Sequence, residues 1–419
     1  MRGKAELSNL SRYQIEHQCP QCGAPIVLNE DDHLLSCPYC KVRLYLSFQS
    51  HPRYYLSPRY REDSPFFVPY WRSKGMEFAV RAGGIEESVL DRTWNASGFT
   101  CFPSSLGARP QTRRLGLAEP DGEHRLLPAL VPPDEPPPVQ PLRPLIGGDL
   151  LETENPFFFR TVLQDTASLI YLPVFQRGTL VYDAIDRKAL GPSPNGLSAA
   201  DRPDNVASWF GYHFTPALCP NCGHDVAGEK ESLIVFCQNC VVGFSVSGGK
   251  LTEVPLAVGK GGSRTASFLP FWRVRVETEG LPLPRGTGKI LPGGRREQMD
   301  RDHFHFWVPA FRINPRLFLR LAHRATMAQP AIEPTSLTSL SSVAPITIAS
   351  VEAVKTVKIL LALLSPKDTE LLRGLQDRSV KVREHLVVLV PFEQSGYELT
   401  NRQIQAAVHV NALKYGRNL

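Results

Sequence analysis

The sequence reads CPQCGAPIVLNEDDHLLSCPYC from Cys19 to Cys40, and a second stretch, CPNCGHDVAGEKESLIVFCQNC, runs from Cys219 to Cys240. Each stretch holds two CxxC pairs, and the interval between the pairs is the same in both. Chance is a poor explanation for eight cysteines with matching spacing. The pattern predicts an internally duplicated chain in which each half contains one four-cysteine ribbon.

A CxxC turn brings two thiolates to one side of a hairpin, and a second such turn completes a tetrahedron of sulfurs around Zn²⁺ at about 2.3 Å. Four protein ligands leave no position open for water or substrate, so such a site is structural. We therefore expect two structural Zn²⁺ ions, held by Cys19, Cys22, Cys37, Cys40, Cys219, Cys222, Cys237 and Cys240. Gly23 and Gly223 follow the first pair of each set, where we expect a positive φ.

Two other interpretations of the cysteines stay open. Rubredoxin-like iron uses the same ligands and would make the chain an electron carrier, although its knuckles usually lie farther apart. Disulfides are the other alternative, but CxxC pairs in a reducing compartment are typical of metal sites. Cys101 lies outside both sets and is predicted to be a buried free thiol.

Similar segments follow the two ribbons. FVPYWR, from Phe67 to Arg72, recurs as FLPFWR, from Phe268 to Arg273. LIYLPVFQRGTLVYDAI, which contains Pro173, is similar to LVVLVPFEQSGYEL. Apolar and aromatic runs favour strands, and proline marks an edge or a bulge because it cannot donate to a ladder. Each ribbon is therefore predicted to be followed by β-hairpin units.

Further details of these units are predicted from the same pattern. GFTCFPSSLGARP is similar to HFWVPAFRINPR, which places Pro103 opposite Pro309. Lys74-Gly75 and Arg177-Gly178 are predicted to be the turns of short hairpins. The tryptophans of the PYWR-type motifs, Trp71 and Trp272, are interpreted as core residues, with a ligand-binding role as the alternative.

Helix signals are concentrated in the second half. Asn314 and Pro315 predict the start of a helix over residues 315–328. Ser350 is a candidate cap for EAVKTVKILLALL, which ends at Ser365-Pro366. Thr400 and Gln403 resemble a capping box before a last helix, IQAAVHVNALKY. The fold class is thus α+β and β-rich, internally duplicated, with packing helices mainly in the C-terminal half.

At 419 residues the chain is long enough for several domains. The predicted division is ribbon 1 over residues 12–48, β-rich units over 62–190 interrupted by a proline-rich tether at 126–145, a linker at 191–211, ribbon 2 over 212–247, β-rich units over 262–330 with the helix at 315–328, and a C-terminal α/β unit over 345–419.

Composition excludes several classes of protein. With 42% hydrophobic and 21% charged residues the chain is globular, and its net charge of +6 permits an acidic partner without requiring one. No signal peptide or membrane span is evident, so a cytoplasmic location is expected. No serine elbow, phosphate loop or dinucleotide fingerprint occurs, so we predict that the chain is not an enzyme.

Nucleic-acid binding is the main alternative to protein binding. Arg316, Arg320 and Arg324 recur at helical spacing and would line one face of the predicted helix. Near ribbon 1, Arg43 and Arg53 lie among aromatic residues, a composition that suits single strands held by charge and stacking. A solvated helix face explains the arginines equally well.

The chain resembles uncharacterised bacterial proteins with transcription-factor-IIB-type zinc ribbons that are followed by LPxW-type β units. The resemblance of the ribbons rests on the knuckles CPQCGAP, CPYCK, CPNCGHD and CQNC. The LPxW-type strands are matched by VPYW at Val68 to Trp71 and by LPFW at Leu269 to Trp272. The resemblance implies zinc at the eight cysteines and a role in holding partners together. We therefore expect a non-catalytic zinc-binding adaptor or assembly component that binds other proteins.

Overall fold

A computed structural model describes residues 13–60, 65–119, 124–133, 157–194, 211–263, 265–277, 304–333 and 342–416. The strands of the first half are β1 (Gln14–Gln18), β2 (Pro25–Asn29), β3 (Leu34–Ser36), β4 (Arg43–Phe48), β5 (Arg53–Leu56), β6 (Phe66–Arg81), β7 (Gly84–Asn95), β8 (Leu115–Leu117), β9 (Arg125–Leu126), β10 (Phe157–Arg177), β11 (Leu180–Asp183) and β12 (Ala189–Pro192).

The second half adds β13 (Tyr212–Pro216), β14 (Val226–Ala227), β15 (Ile234–Cys237), β16 (Val242–Ser247), β17 (Lys250–Val254), β18 (Leu256–Gly259), β19 (Ser267–Val276), β20 (Phe306–Pro309), β21 (Ile332–Glu333), β22 (Val382–Ser395), β23 (Glu398–Asn401) and β24 (Ala406–His409). The helices are α1 (Pro315–Ala328), α2 (Ser350–Leu364), α3 (Thr369–Gly374) and α4 (Val410–Gly416). Among the described residues the fold is therefore β-rich, with its α-helices in the C-terminal half, as the sequence predicts.

The two halves build their main sheets on one plan. In the first, β6 pairs antiparallel with β10, which also pairs parallel with β5 and antiparallel with β11. In the second, β19 pairs with β22, which pairs in the same senses with β18 and β23. Phe67 lies opposite Pro173 in one sheet, as Phe268 lies opposite Pro391 in the other. The similarity that the sequence indicates around these two prolines is therefore present in three dimensions.

The tryptophan of the repeated motif is fixed in the same way in both halves. The indole Nε1 of Trp71 donates to the carbonyl oxygen of Val131 at 2.6 Å, and that of Trp272 donates to Ile348 at 2.8 Å. Both tryptophans are buried. Each indole thus ties a returning segment of chain to its sheet, which is the structural role expected for a core residue.

One predicted equivalence is wrong. Asn95 lies opposite Tyr70 in the β6–β7 pair, whereas Pro309 lies opposite Phe271 in the β19–β20 pair. Asn95, and not Pro103, therefore occupies the place of Pro309. The error arose because proline was matched to proline, whereas strand register depends on which residues face each other across the ladder.

The predicted turn at Lys74-Gly75 is also wrong, because β6 runs through both residues without a break. A Cβ atom on Gly75 would lie 2.0 Å from the carbonyl oxygen of Leu163 in β10. Glycine is therefore needed for close approach of two backbones inside a sheet. The other predicted turn is present, since Gly178 has a φ of 59° between β10 and β11.

The two halves pack as one body. Met76, Phe78 and Leu163 of the first half belong to the same hydrophobic core as α1 and α2 of the second half. The ring centroids of Phe78 and Phe318 are 6.1 Å apart. In a separate sheet, β4 of the first half pairs antiparallel with β13 of the second. Strands of the first half are therefore completed by elements of the second.

The described part of the predicted tether at 126–145 lies along the first sheet. Arg125 and Leu126 form β9 on the edge of β6, and residues 127–131 continue along the sheet through hydrogen bonds to Phe67 and Ala96. Residues 134–145 lie outside the described part of the chain. Of the predicted linker at 191–211, Gly191 and Pro192 belong to β12, and residues 195–210 also lie outside the described part.

The helix predictions have mixed outcomes. α1 has the predicted bounds, and the side chain of Asn314 accepts a hydrogen bond from the backbone of Arg316. α2 begins at Ser350, with Ala349 as its N-cap, so Ser350 is not the cap. The predicted capping box at Thr400 is wrong, because that residue lies in β23. Only Val410–Gly416 is helical there.

The reason is that β23 and β24 extend the sheet of β22 as a hairpin, and alternate residues of both strands are buried. Tertiary pairing therefore overrides the local capping signal. Among the described residues no helix has the length and apolar character needed to cross a membrane.

Candidate metal centres

Each set of four cysteines is assembled by two tight turns. We define module 1 as residues 13–48 and module 2 as residues 212–254. In the first turn of module 1, Cys19 and Gly23 close the knuckle through a hydrogen bond between Gly23 N and Cys19 O of 2.8 Å. Gly23 has a φ of 72°, and Gly223 of module 2 has a φ of 74°. The predicted positive φ at both glycines is therefore confirmed.

The second turn of each module repeats this geometry without glycine. Lys41 and Val241 follow the last cysteine with φ values of 61° and 58°. Their backbone N–H groups donate to the carbonyl oxygens of Cys37 and Cys237. A left-handed conformation costs a non-glycine residue roughly 1–2 kcal/mol, so a favourable interaction must hold these turns. The Nζ of Lys41 also donates to Pro38 O at 2.6 Å.

The eight sulfurs are brought together as the spacing predicts. Within each set of four, the sulfur atoms all lie within 4.8 Å of one another. Four of the separations are 3.8 Å for Cys19–Cys40, 3.8 Å for Cys22–Cys37, 3.9 Å for Cys219–Cys240 and 3.5 Å for Cys222–Cys237. A tetrahedron with metal–sulfur bonds of about 2.3 Å has edges of about 3.8 Å. Both sets therefore fit a tetrahedral metal ion.

The protein environment favours thiolates at specific positions. The backbone N–H of Cys40, with that of Tyr39, lowers the pKa of Cys37 to about 6. In module 2, the backbone N–H of His224 and the side chain of Asn239 lower the pKa of Cys222 to about 5. A hydrogen bond with the adjacent Cys222, together with burial, raises the pKa of Cys240 to about 12 because both favour its protonated thiol. Each set could hold a metal ion.

The two modules contact each other directly. Tyr45 of module 1 donates its hydroxyl to Ser232 O of module 2 at 3.0 Å, and the backbone of His33 donates to Lys230 O at 2.7 Å. Leu34 and Tyr45 share a small hydrophobic cluster with module 2. The two four-cysteine groups therefore lie in modules that contact each other at the junction of the two halves.

A buried cluster of charged residues supports this junction, and sequence reasoning missed it. Arg72, which is 0% exposed, bonds Glu30 through Nη2 at 3.1 Å, also bonds Asp91, and lies over the ring of Tyr13. Burial raises the pKa of Glu30, although Arg72 opposes this. The repeated arginine of FVPYWR and the acidic run NEDD were the available signals, but their pairing depends on the fold.

The second part of this cluster links the two halves. Arg312 Nη1 lies 2.7 Å from Asp31 Oδ2, and its Nε lies 3.3 Å from Asp165 Oδ2. Burial raises the pKa of Asp165 to about 6, while Arg312 and Lys74 oppose this. Burial also lowers the pKa of Lys74, whose Nζ has no hydrogen-bond acceptor within the described part of the chain. Arg312 is paired with two carboxylates, which compensates the cost of burying its charge.

The five arginines proposed for nucleic acid lie on three elements, β4, β5 and α1. Arg316, Arg320 and Arg324 are exposed on one face of α1, and Arg316 lies 3.7 Å from Glu87 while Arg324 donates to Gln405 O. Arg43 pairs with Asp225, and Arg53 bonds the side chain of Tyr171. Tyr45 and Tyr54, two of the aromatic residues of the predicted stacking surface, are buried. Nucleic-acid binding stays a prediction.

Comparisons of the chain with protein-family models, with curated proteins and with solved structures find no match. The resemblance of the knuckles to transcription-factor-IIB-type ribbons therefore stays a prediction.

Proposed function

We propose that the chain is a non-catalytic protein that binds two structural Zn²⁺ ions and acts as an adaptor or assembly component for other proteins. The observation that carries the metal assignment is the pair of four-sulfur groups, in which every sulfur lies within 4.8 Å of the others. All-thiolate sets with tetrahedral spacing favour zinc or iron, and zinc is the usual occupant of closed structural sites.

The donor set supports a structural role for the ions. Four protein thiolates complete the coordination of a tetrahedral ion, so neither water nor substrate has a position on the metal. Zinc binding contributes roughly 10–16 kcal/mol to the folding of isolated zinc-finger peptides. In this chain the ions would hold the second turns of both modules, where Lys41 and Val241 adopt a left-handed conformation.

Exposed apolar side chains near the metal centres support the adaptor role. Tyr39, between the cysteines of the second knuckle of module 1, is 63% exposed, and Leu218, next to Cys219, is 48% exposed. Tyrosine is enriched in protein interfaces because it offers apolar area and a hydroxyl on one rigid ring. We therefore place the partner-binding surface on the knuckles.

Metal content tests the proposal. The purified chain should contain two zinc ions by elemental analysis and lack visible absorption. Cys22→Ser and Cys222→Ser should each contain about one ion, because three thiolates bind zinc far more weakly. Cys101→Ser is the matched control and should keep both ions, since Cys101 lies outside both groups. Iron in place of zinc, or two zinc ions in Cys22→Ser, would overturn the assignment.

The adaptor role is tested with the same samples. Partners captured from the native cell by the parent chain should be lost with Tyr39→Ala while its zinc content is unchanged. Equal binding of partners to the parent and to Tyr39→Ala would show that the knuckle of module 1 is not part of the proposed interface.

A further inference from the structure

A cavity of about 640 Å³ lies where the two modules meet the sheets of both halves. Module 1 contributes His33, Tyr45 and Phe48, and the β10 segment from Gln164 to Ser168 forms another wall. The remaining walls come from module 2 and from the second half, with Leu233, Ile234, Ser245, Val246, Glu253, Trp272 and His385. Its volume lies in the range of roughly 300–1,000 Å³ that is typical of small-molecule sites.

The charged side chains among the lining residues are carboxylates. Glu30, Asp165 and Glu253 contribute them, and none of the described residues that line the cavity is a lysine or an arginine. Arg72 and Arg312 pair with Glu30 and Asp165 and neutralise their charge, so these two offer mainly acceptor oxygens. Glu253 is exposed at the rim and supplies negative charge for a ligand that brings donors and positive charge.

Aromatic rings line the same space. Tyr45, Phe48 and Trp272 are among the lining residues, and the ring of His385 lies edge-on to Trp272 with centroids 5.9 Å apart. The faces of aromatic rings attract organic cations, and the attraction increases when water is excluded. Aromatic walls beside carboxylates are the combination that recognises an ammonium group attached to an apolar body.

We propose that this cavity binds a small organic cation, namely an amine or quaternary ammonium compound with an apolar portion. The two metal-binding modules supply walls of the site, and the second half supplies the tryptophan. The site exists only at the junction, because no single half contains all of its walls.

Three probes of equal size test the charge preference. Benzylamine, benzyl alcohol and benzoate share one ring and differ in charge, so their affinities at neutral pH can be compared by ligand-observed NMR and calorimetry. Benzylamine should bind at least about tenfold more tightly than benzoate, a difference of about 1.4 kcal/mol. Equal or tighter binding of benzoate, or no binding of benzylamine at about 10 mM, would overturn the proposal.

Variants locate the binding in the cavity. Ser245→Trp should abolish benzylamine binding by filling the space, and Glu253→Gln should weaken it several-fold. Ser247→Trp is the matched control on the same strand, because Ser247 does not line the cavity, and it should bind as the parent does. Should Ser245→Trp fail to fold, Ser50→Trp on an exposed lining position provides the same blockage. Unchanged binding in the blocked variant would contradict the site.

Discussion

The two halves carry different residues at an equivalent β-bulge in their main sheets. In both main sheets the register shifts by one residue, between Gln164 and Thr166 in the first and between Val382 and Glu384 in the second. The extra residue is Asp165 in one bulge and Arg383 in the other. Asp165 is turned inward to Arg312, whereas Arg383 is exposed. A bulge re-aims one side chain, so this single position determines whether a charge enters the interior.

Asp165 makes stability depend on pH in a defined direction. Its pKa is raised to about 6 by burial, above the value of about 3.9 in an unfolded chain. The folded state therefore binds the proton more tightly, and the stability gained from it is full below pH 4 and is lost as pH rises through 6. Asp165→Asn should remove this dependence. Urea unfolding at several pH values between 5 and 7.5, with zinc present, measures the effect.

The informative quantity is the difference in free energy of unfolding between the parent and Asp165→Asn at each pH. Stability that the metal centres contribute is common to both proteins and largely cancels. As pH rises from 5 to 7, the free energy of unfolding of the parent should fall relative to that of Asp165→Asn. A difference that stays constant would show that Asp165 is ionised in both the folded and the unfolded chain throughout this range.

Among the elements, the long pair of β6 and β10 has the largest structural effect. It starts in the sheet of the first half and continues past Gly75 into the core of the second half, where Phe78 meets Phe318. The hairpin predicted at Lys74-Gly75 is thereby replaced by one continuous arm, the pair of strands β6 and β10. The bulge beside Gly75 bends this arm while preserving its pairing.

Gly75→Ala should disrupt the arm. The added Cβ would lie 2.0 Å from the carbonyl oxygen of Leu163, which is backbone and cannot rotate away. We expect a loss of about 2 kcal/mol or more in the free energy of unfolding, measured by urea denaturation. Gly374→Ala is the matched control, because the nearest atom to its Cβ is a side-chain nitrogen of Arg378 at 3.5 Å. It should leave stability unchanged or raise it slightly. Equal losses of stability in Gly75→Ala and Gly374→Ala would contradict the explanation that Gly75 is needed for close approach of the two backbones.

In the whole molecule, the halves are repeats in topology but not independent folding units. The hydrophobic core of the second half includes side chains of β6 and β10, and module 1 completes its β3–β4 sheet with β13. The Arg312–Asp31 and Arg312–Asp165 pairs cross the same boundary. Separating the halves would expose apolar surface and leave buried charges without partners.

Residues 1–210 and 211–419, produced separately with zinc, should therefore each lack a fixed tertiary structure. Their NMR spectra should show poor dispersion, and mixing the two should restore the dispersion of the intact chain. The intact chain under identical conditions is the control. A well-dispersed spectrum from either half alone would mean that its core is sufficient.

The sequence by itself predicted the two four-cysteine groups that could hold a metal ion, because each CxxC turn brings two sulfurs together locally. It also determined the repeat, which is visible as recurring motifs. It determined the start of α1 as well, because the capping residue Asn314 lies within two residues of the backbone N–H that it accepts from. Only the tertiary structure decided that Lys74 lies inside a strand, that Thr400 belongs to a hairpin, and that Asp31 meets Arg312. These outcomes depend on register and burial between residues far apart in sequence, and local propensity carries no information about them.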